Sequence, residues 1–387
     1  MGVANVAAVR RILVVKLADL GDAVLATPAI GALRRAFPTA RIDALTTPSA
    51  RAVLDLCPAV DRTIGFPKAL FDRPTDLAHP ARLATMARLA AHLRAQHYDA
   101  VVLLHHLTTG FGALKFRALA RAAGAPVVAG LDNGRGTFLT HRATDLGFGA
   151  RTEWEYGLDI VATLGVPTDG AGTNLQVPEA ARAAADRLLA QAGVPEPFIV
   201  VHPGVGPYSQ ARAWPADRFA AVARDLRAAT GMPIVAVGTR DEAAGSAPLL
   251  AESGVANLLG RTTIAELAAV LERAALVIGA DSGVAHLAAA LRRPTLAIFG
   301  PSNHDAWRPI GAALHYVGTR PFPDAEALVV RARIPCAPCL YTGYTLGQRQ
   351  GCALRTCLDW ITASEIVEAA LHMLRNSGAI DAPGKLP

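Results

Sequence analysis

The sequence has no apolar run long enough to span a membrane, although it is 387 residues long and 52% hydrophobic. Residues 1–10 have no basic start and only a short apolar stretch, so we expect no secretory signal and a protein that stays in the cytoplasm. The five cysteines are an odd number, which argues against a disulfide scaffold. No block of Lys and Arg with interleaved aromatic residues occurs, so we expect no nucleic-acid partner.

Several nucleotide-binding and hydrolytic motifs are also missing. No predicted strand is followed by G-x-G-x-x-G, and the closest match, residues 202–206, lacks the third glycine and runs into Pro207. The Walker A, H-E-x-x-H and G-x-S-x-G motifs do not occur either. These absences exclude the simplest dehydrogenase assignment, and a nucleotide diphosphate would have to be held by another device.

The net charge of +6 lies mainly in the first half of the chain. Residues 1–170 hold 19 Lys and Arg against 14 Asp and Glu, or +5, whereas residues 171–387 hold 19 against 18, or +1. This excess is modest for a nucleic-acid binder. It suits a phosphorylated substrate, or one at a membrane surface, better.

Short buried runs alternate with helical stretches in both halves, which predicts an α/β fold of two Rossmann-like, doubly wound domains. The irregular residues 164–178 predict a linker. We therefore expect domains at 1–170 and 171–362, with a final helix and tail at 363–387 that packs back on the first domain. The strands are expected at 11–17, 41–45, 99–104, 126–131, 198–202, 233–238, 274–279 and 294–300.

The sequence GADSGVAH at residues 279–286 joins a buried strand to a helix through residues that suit an anion. Ligands collect at the carboxyl ends of strands in open α/β sheets, and a helix N-terminus there favours phosphate. Gly283 would leave room for a phosphate, Ser282 offers a hydroxyl, and His286 can reach back from the first helical turn. In the alternative interpretation, Asp281 or Ser282 only caps the helix and His286 packs in the core.

Five segments of the chain resemble one known family, the ADP-heptose:lipopolysaccharide heptosyltransferases of glycosyltransferase family 9. The resemblance implies the GT-B fold, with two Rossmann-like domains facing each other across a cleft. It also implies an acceptor site on the first domain and a donor site on the second. The segments are ILVVKLADLGD at 12–22, HPG at 202–204, RAWP at 212–215 followed by RF at 218–219, GADSGVAH at 279–286, and FGP at 299–301.

The resemblance implies an inverting transfer of heptose from ADP-L-glycero-β-D-manno-heptose to a hydroxyl of the lipopolysaccharide inner core. The partners would be the ADP-activated sugar and a phosphorylated glycolipid acceptor at the inner membrane surface, and no further cofactor is implied. The protein would be cytoplasmic, either free or peripheral at that membrane. The open alternatives are a GT-B transferase with another nucleotide sugar and a different acceptor, and a nucleotide-sugar binding protein without turnover.

The family motifs also imply site residues. Asp22 matches the general base, although an aspartate at such a turn is also a common N-cap, as Asp19 beside it could be. Arg212 matches a cation that contacts the donor phosphates, and it departs from the usual lysine. Glu242, with Asp241 as rival, matches the acidic residue on the ribose. The remaining donor-binding residues are Asp281, Ser282, Gly283 and His286.

Four further basic residues are candidates for the acceptor side of the site. Lys16 could pair with Asp19 or Asp22 or lie near the acceptor. A cluster in one predicted helix is either a solvated face or a patch for acceptor phosphates; it consists of Lys115, Arg117 and Arg121.

Four cysteines lie within a short loop-rich stretch and have spacings that a structural metal site can use. The transfer chemistry needs no metal, so we expect none. The alternatives are a structural metal, reduced thiols or a local disulfide at Cys336, Cys339, Cys352 and Cys357.

Overall fold

The computed structural model describes residues 9–71, 73, 75 and 79–381. The first eight residues, which carry most of the expectation of no secretory signal, lie outside this part. The chain divides into two compact units, Met1–Gln176 and Val177–Pro387. None of the described helices is long and apolar enough to cross a bilayer.

The first unit contains a parallel sheet with helices packed against it, as the βα alternation predicts. Its described strands are β1 (Arg11–Lys16), β2 (Arg41–Thr46), β3 (Arg62–Gly65), β4 (Ala100–Leu103), β5 (Val127–Asp132) and β6 (His141–Thr144). Its described α-helices are α1 (Leu20–Ala36), α2 (Pro48–Leu54), α3 (Pro80–Arg94), α4 (Gly110–Ala123) and α5 (Glu153–Ala162).

The strand order in this sheet is β3-β2-β1-β4-β5-β6, and every pair is parallel. The chain winds from β1 toward β2 and β3 on one side and then returns to add β4 on the other side. The order therefore reverses between β1 and β4, and in this type of sheet ligands bind outside the carboxyl ends of the two strands at the reversal. Lys16 is the last residue of β1 and stands at that point.

The second unit repeats the pattern with a longer sheet. Its strands are β7 (Ile199–His202), β8 (Ile234–Ala236), β9 (Val255–Asn257), β10 (Leu276–Ala280), β11 (Thr295–Ile298), β12 (Ala312–Tyr316), β13 (Ala327–Arg331), β14 (Leu340–Thr342) and β15 (Thr345–Gly347) within the described residues. Over the same residues its α-helices are α6 (Glu179–Gln191), α7 (Ala216–Thr230), α8 (Ala247–Leu250), α9 (Ile264–Arg273), α10 (Gly283–Ala290), α11 (His304–Trp307), α12 (Thr356–Asp359) and α13 (Ala363–Asn376).

The large sheet has the order β12-β13-β11-β10-β7-β8-β9 and is parallel throughout, while β14 and β15 form a separate antiparallel hairpin. Here the winding reverses between β7 and β10. The turn from β10 into α10 contains Asp281 and Ser282, so this turn lies at the reversal point of the second sheet. The two parallel, doubly wound sheets confirm the predicted α/β class.

The C-terminal helix α13 was expected to pack on the first domain, and the structure corrects this expectation. Its apolar side, which includes Ile366, Ala370 and Leu374, is buried in the core of the second unit. An amphipathic pattern identifies a helix with one apolar face, but it carries no information about which core receives that face.

The Trp-Pro segment helps to hold the chain ahead of α13. The indole nitrogen of Trp214 donates a hydrogen bond to the carbonyl of Ile361 at 3.0 Å. Arg218 donates to the same carbonyl at 2.8 Å and to those of Leu358 and Asp359. These two motif residues therefore have a structural role in the second unit.

Candidate functional site

Polar side chains from several elements of the second unit meet at the carboxyl ends of β7 and β10. His202 ends β7, and Asp281 and Ser282 follow β10 directly. All three are buried. Because buried polar groups are costly unless they are partnered, this cluster marks a built site rather than a surface turn.

Arg212 brings a guanidinium to this cluster from a 3-10 turn over Gln210–Arg212. Its Nη1 lies 3.7 Å from Oδ2 of Asp281, and its Nη2 donates to the carbonyl of Val205 at 2.7 Å. Its side chain is only 16% exposed. The cation predicted from the motif is thus held beside the acidic residue of the GADSGVAH turn.

The hydroxyl of Ser282 is engaged by His202 and does not cap the helix that it precedes. Ser282 occupies the N-cap position of α10 without a side-chain cap bond, and its Oγ lies 3.0 Å from Nδ1 of His202. This geometry argues against the interpretation that Ser282 serves only as a helix cap. The helix N-terminus retains its backbone donors and the positive end of its dipole on this side of the sheet.

Glu242 completes the chain of contacts from the far side of His202. Its Oε2 lies 3.6 Å from Nε2 of His202 and also accepts bonds from the backbone and hydroxyl of Thr239. Burial raises the pKa of Glu242, but the hydrogen bonds and charge of His202 and the Thr239 donors outweigh it and lower the pKa to about 2. A Cβ on Gly204 would collide with the Glu242 carboxyl group, so a side chain at position 204 would displace that carboxyl group.

Two other predicted donor residues lie in the first turn of α10. Gly283 is the first residue of α10, and His286, three residues later, is buried. Asp241, the rival of Glu242, is exposed in the 3-10 turn Arg240–Glu242, whereas the carboxylate of Glu242 lies 3.6 Å from Nε2 of His202. Glu242 is therefore the acidic residue of that turn that joins the cluster.

In the first unit, Lys16 contacts Asp22, and this pairing is one of the alternatives predicted for Lys16 from the sequence. Its Nζ lies 3.5 Å from Oδ1 of Asp22 and 3.5 Å from Oε2 of Glu153. Asp22 is in the first turn of α1, and Asp19 is at the N-cap position without a side-chain cap bond. The side chain of Lys16 is buried, whereas that of Asp22 is 23% exposed.

Behind this pair lies a histidine that the sequence analysis did not single out. His106 contacts Asp145 through Nδ1 at 2.9 Å and Glu153 through Nε2 at 2.8 Å. Burial lowers the pKa of His106, but the hydrogen bonds and charges of the two carboxylates outweigh it and raise the pKa to about 9. His106 is therefore an imidazolium at neutral pH.

The preceding residue, His105, has the opposite character. Its Nε2 accepts a hydrogen bond from the backbone N–H of Leu17 at 2.6 Å, which leaves the proton of the neutral ring on Nδ1. Burial, followed by the charge of Lys16, holds the pKa of His105 well below its ordinary value. Two adjacent histidines at the end of β4 therefore carry different charges.

The basic cluster on α4 does not share one face. Lys115 is half-buried, and its ammonium donates to the carbonyl of Phe71 at 2.9 Å. Arg117 and Arg121 are exposed and lie one helical turn apart. A spacing of two residues turns Lys115 away from Arg117 by about 160°, because successive residues in a helix are rotated by about 100°.

The four C-terminal cysteines lie around one pocket with Ala211, next to Arg212. Cys336, Cys339 and Cys352 are exposed and Cys357 is buried. Burial, with a smaller contribution from the other three thiols, raises the pKa of Cys357 to about 11. In the part of the chain that the structure describes, no group of three or more His, Cys, Asp or Glu side chains could hold a metal ion as placed.

The sequence analysis missed four site residues, and each had a signal. His202 lies in a matched motif and ends a buried strand, and His106 follows the buried run of β4 closely. The same reasoning that selected Asp281 at the end of β10 would have selected both. Asp145 follows β6, and Glu153 precedes the capping residue Glu155 in a Thr-x-x-Glu box.

Comparison with known proteins identifies the family of the chain. Residues 86–334 match the profile described as glycosyltransferase family 9 (heptosyltransferase). The chain is 27% identical over 316 residues to lipopolysaccharide heptosyltransferase 3 of Escherichia coli, which covers 75% of this chain and 83% of the relative.

Two solved structures show the fold. The E. coli ADP-heptose lipopolysaccharide heptosyltransferase II superposes with a TM-score of 0.68 at 22% identity, over 95% of this chain and 99% of that one. An iron-containing dodecameric glycosyltransferase of enterotoxigenic E. coli superposes with a TM-score of 0.55 at 14% identity, over 95% of this chain and 77% of that one. The fold is thus the one predicted, GT-B, and the chain belongs to glycosyltransferase family 9, the heptosyltransferase family.

Proposed function

We propose that this protein transfers a heptose, with inversion, from ADP-L-glycero-β-D-manno-heptose to a hydroxyl of the lipopolysaccharide inner core. The second unit binds the donor and the first unit binds the acceptor. The observation that carries the proposal is the placement of Arg212 beside Asp281 at the N-terminus of α10. The similarity to a lipopolysaccharide heptosyltransferase of E. coli supports the choice of donor and acceptor.

The donor diphosphate is the group that this site suits best. A guanidinium can bind a diphosphate through two parallel hydrogen bonds, and a helix N-terminus adds backbone donors and a positive dipole end. Arg212 replaces the lysine common in the family, so phosphate binding is retained while its geometry changes from a point charge to a planar fork. Glu242 lies in the 3-10 turn Arg240–Glu242 that follows β8, where its carboxylate accepts hydrogen bonds from the ribose hydroxyls of the nucleotide.

The chemical step needs one base and one leaving group. The acceptor oxygen attacks the anomeric carbon, the bond from that carbon to the β-phosphate oxygen breaks, and ADP leaves with the electron pair. The acceptor proton passes to the carboxylate of Asp22, the one partly exposed group of the Lys16 ion pairs. Arg212 and the N-terminus of α10 stabilise the negative charge that develops on ADP.

We further propose that transfer requires no metal. A divalent cation would neutralise the departing diphosphate, and in this chain Arg212 and the helix N-terminus supply that positive charge. The cysteines near Ala211 do not form a metal-binding group as placed among the described residues. The iron-containing relative of the same fold makes metal content worth measuring, and transfer should persist in protein stripped by a chelator.

The acceptor is a phosphorylated glycolipid, which places the enzyme at or near the cytoplasmic face of the inner membrane. The excess of positive charge in the first half of the chain, +5 over residues 1–170, supports this partner. Arg117 and Arg121 are exposed and available for acceptor phosphates. Lys115 contributes less directly, because its ammonium is already bonded to a backbone carbonyl.

The test is transfer by purified protein. Truncated lipopolysaccharide acceptors are incubated with ADP-heptose, and both ADP release and a mass increase of one heptose on the acceptor are measured. A parallel panel of ADP-, UDP- and GDP-sugars is ranked by thermal shift, since a true donor stabilises the folded protein by mass action. Transfer from another nucleotide sugar, or to another acceptor, would replace the donor or acceptor named here, and binding without turnover would leave a nucleotide-sugar binding protein.

A further inference from the structure

Five charged side chains of the first unit form one continuous chain of ion pairs that alternates in sign. Nδ1 and Nε2 of His106 contact Asp145 and Glu153, and Nζ of Lys16 contacts Glu153 and Asp22. With His106 as imidazolium the charges run negative, positive, negative, positive, negative. The chain ends at Asp22.

Only the Asp22 end of this chain reaches solvent to any extent. The side chains of Asp145, His106, Glu153 and Lys16 are between 0% and 6% exposed, whereas Asp22 is 23% exposed. The network therefore presents one carboxylate outward and keeps the rest of its charges inside.

The buried end is anchored by hydrogen bonds that fix its geometry. Asp145 accepts from Asn133 Nδ2 at 2.9 Å and from the backbone N–H of Gly147 at 2.8 Å. The ring of His106 packs against Phe148 at 4.4 Å and against the edge of Tyr156 at 4.9 Å, measured between centroids. An imidazolium with both nitrogens bonded and two aromatic rings packed against it has little freedom to turn.

Stability alone gives a poor reason for burying these charges. Taking an ion out of water costs several kcal/mol, and apolar residues of the same volume are often neutral or stabilising in place of a buried ion pair. Here the buried charges lie where the strand order reverses, between β1 and β4, and ligands bind at that point in this class of sheet. Its location favours a role in the reaction.

From these contacts we infer that Glu153, held by His106, is a positioning residue for the transfer reaction. Glu153 shares the ammonium of Lys16 with Asp22 at equal distances of 3.5 Å. It thereby fixes Lys16 in one place, and Lys16 in turn orients the Asp22 carboxylate toward the acceptor hydroxyl. This inference rests on the proposed role of Asp22 as the base.

The first test is Glu153→Gln, which keeps the shape and removes the charge. We expect kcat to fall about 10- to 100-fold, because small displacements of a reacting group cost about that much, while KM for the donor changes less than twofold. The matched control is Glu155→Gln, two residues along the same helix, where the carboxylate serves the capping box with Thr152. That variant should lower stability and leave kcat of the folded enzyme unchanged.

A double-mutant cycle separates positioning from a general loss of structure. If Glu153 acts through Lys16, the double variant Lys16→Met with Glu153→Gln should be no slower than Lys16→Met alone. A double variant in which the two separate losses of kcat multiply would contradict the inference. So would a Glu153→Gln enzyme with normal kcat, and in that case the proposed transfer activity would still stand.

A second readout needs no turnover. The chain has four lysines, at positions 16, 68, 115 and 385, so acetylation of each can be followed by mass spectrometry. Lys16 should react slowly in the native protein, and Glu153→Gln should raise its rate on the order of tenfold, because one of two charges that hold the ammonium is lost. Lys115 is the internal reference. An unchanged Lys16 rate would overturn the inference even if the wild-type protein transferred no sugar.

Discussion

The guanidinium of Arg212 lies 3.7 Å from the carboxylate of Asp281, and the two residues come from parts of the sequence about 70 positions apart. Removing the cation should weaken donor binding. We expect Arg212→Ala to reduce affinity for both ADP and inorganic pyrophosphate about 10- to 100-fold, the equivalent of a lost charge-assisted hydrogen bond. Arg212→Lys should recover part of the loss, because the charge remains and the bidentate geometry does not.

Isothermal titration calorimetry measures these affinities directly. Arg224→Ala is a suitable control, because Arg224 is an exposed arginine on α7 that pairs with Glu252. Affinity for pyrophosphate that is equal in Arg212→Ala and wild type would remove Arg212 from the phosphate site.

Glu242 should affect only ligands that carry a ribose. Glu242→Gln removes the charge next to His202, and we expect a loss of ADP affinity of about tenfold with little change for pyrophosphate. Asp241→Asn is the matched control, because Asp241 is the exposed neighbour in the same turn. Equal losses for ADP and pyrophosphate would show that Glu242 acts by supporting His202 and Ser282 instead of by binding ribose.

The loop that carries the cysteines supports the turn that carries Arg212. A Cβ on Gly351, whose φ is +68°, would lie 2.6 Å from the Cβ of Ala211. We expect Gly351→Ala to cost about 1–3 kcal/mol of folding free energy and to weaken ADP binding. Gly343→Ala is the control, since that glycine has a φ of +58° and open space around it.

Both glycine variants carry a similar backbone penalty, and only one displaces Ala211. Thermal unfolding and calorimetry with ADP should therefore show a shared loss of stability and a loss of affinity confined to Gly351→Ala. If the two variants bind ADP equally, the cysteine loop does not set the position of Arg212.

The raised pKa of His106 has a defined effect on stability as pH changes. A histidine whose pKa rises from 6.5 to about 9 on folding contributes stability that is fully present below 6.5 and is lost as pH rises through about 9. The pKa values of its partners Asp145 and Glu153 are lowered, so their contribution is lost at the acid end instead. Thermal unfolding at pH 6, 8 and 10 should show the alkaline decline.

His106→Gln should remove that decline and lower stability at pH 6 by about 3–5 kcal/mol, since it leaves two buried carboxylates with one cation fewer. A wild-type curve that is flat between pH 6 and 10 would contradict a charged His106. If the stability of His106→Gln fell by the same amount between pH 6 and 10, the decline would have to come from the titration of another group.

The sequence was sufficient to predict the central strands of each sheet, but it was insufficient to predict the edge strands. Buried parallel strands such as β1 and β10 are continuous apolar runs, which can be recognised directly in the sequence. The edge strands β3 and β9 are three or four residues long and half-exposed, so they have no such pattern. β13 is fully buried, but no helix separates it from β12. The βα alternation by which the other strands were predicted is therefore absent there.

The candidate site divides in a similar way. Motif residues such as Asp281 and Arg212 could be chosen because their types and neighbours match a family pattern. The sequence signals of Glu153 and Asp145 are weaker, because the contacts that join these residues to His106 span 47 and 39 positions of sequence. A local pattern does not encode such pairing, which arises only when the carboxyl ends of the strands are brought to one edge.

The last prediction concerns Asp22, which lies in the first turn of α1 beside the buried ammonium of Lys16. An inverting transfer needs a base on the side of the anomeric carbon opposite the departing ADP. The carboxylate of Asp22 is the group that we propose for this role. Asp22→Asn has the same shape and cannot accept the proton. We therefore expect an unchanged fold and donor affinity and a kcat lower by about 10²–10⁴-fold, the usual loss for a missing general base.

Asp19→Asn is the matched control, because Asp19 occupies the N-cap position of the same helix. Because we propose Asp22, and not Asp19, as the base, we expect Asp19→Asn to cost far less in kcat than Asp22→Asn. Steady-state kinetics with ADP-heptose, together with calorimetry for ADP, measure both variants. An Asp22→Asn enzyme with near-normal turnover, or an Asp19→Asn enzyme that lost its turnover instead, would refute the assignment, because proton removal would then have to be carried out by another group.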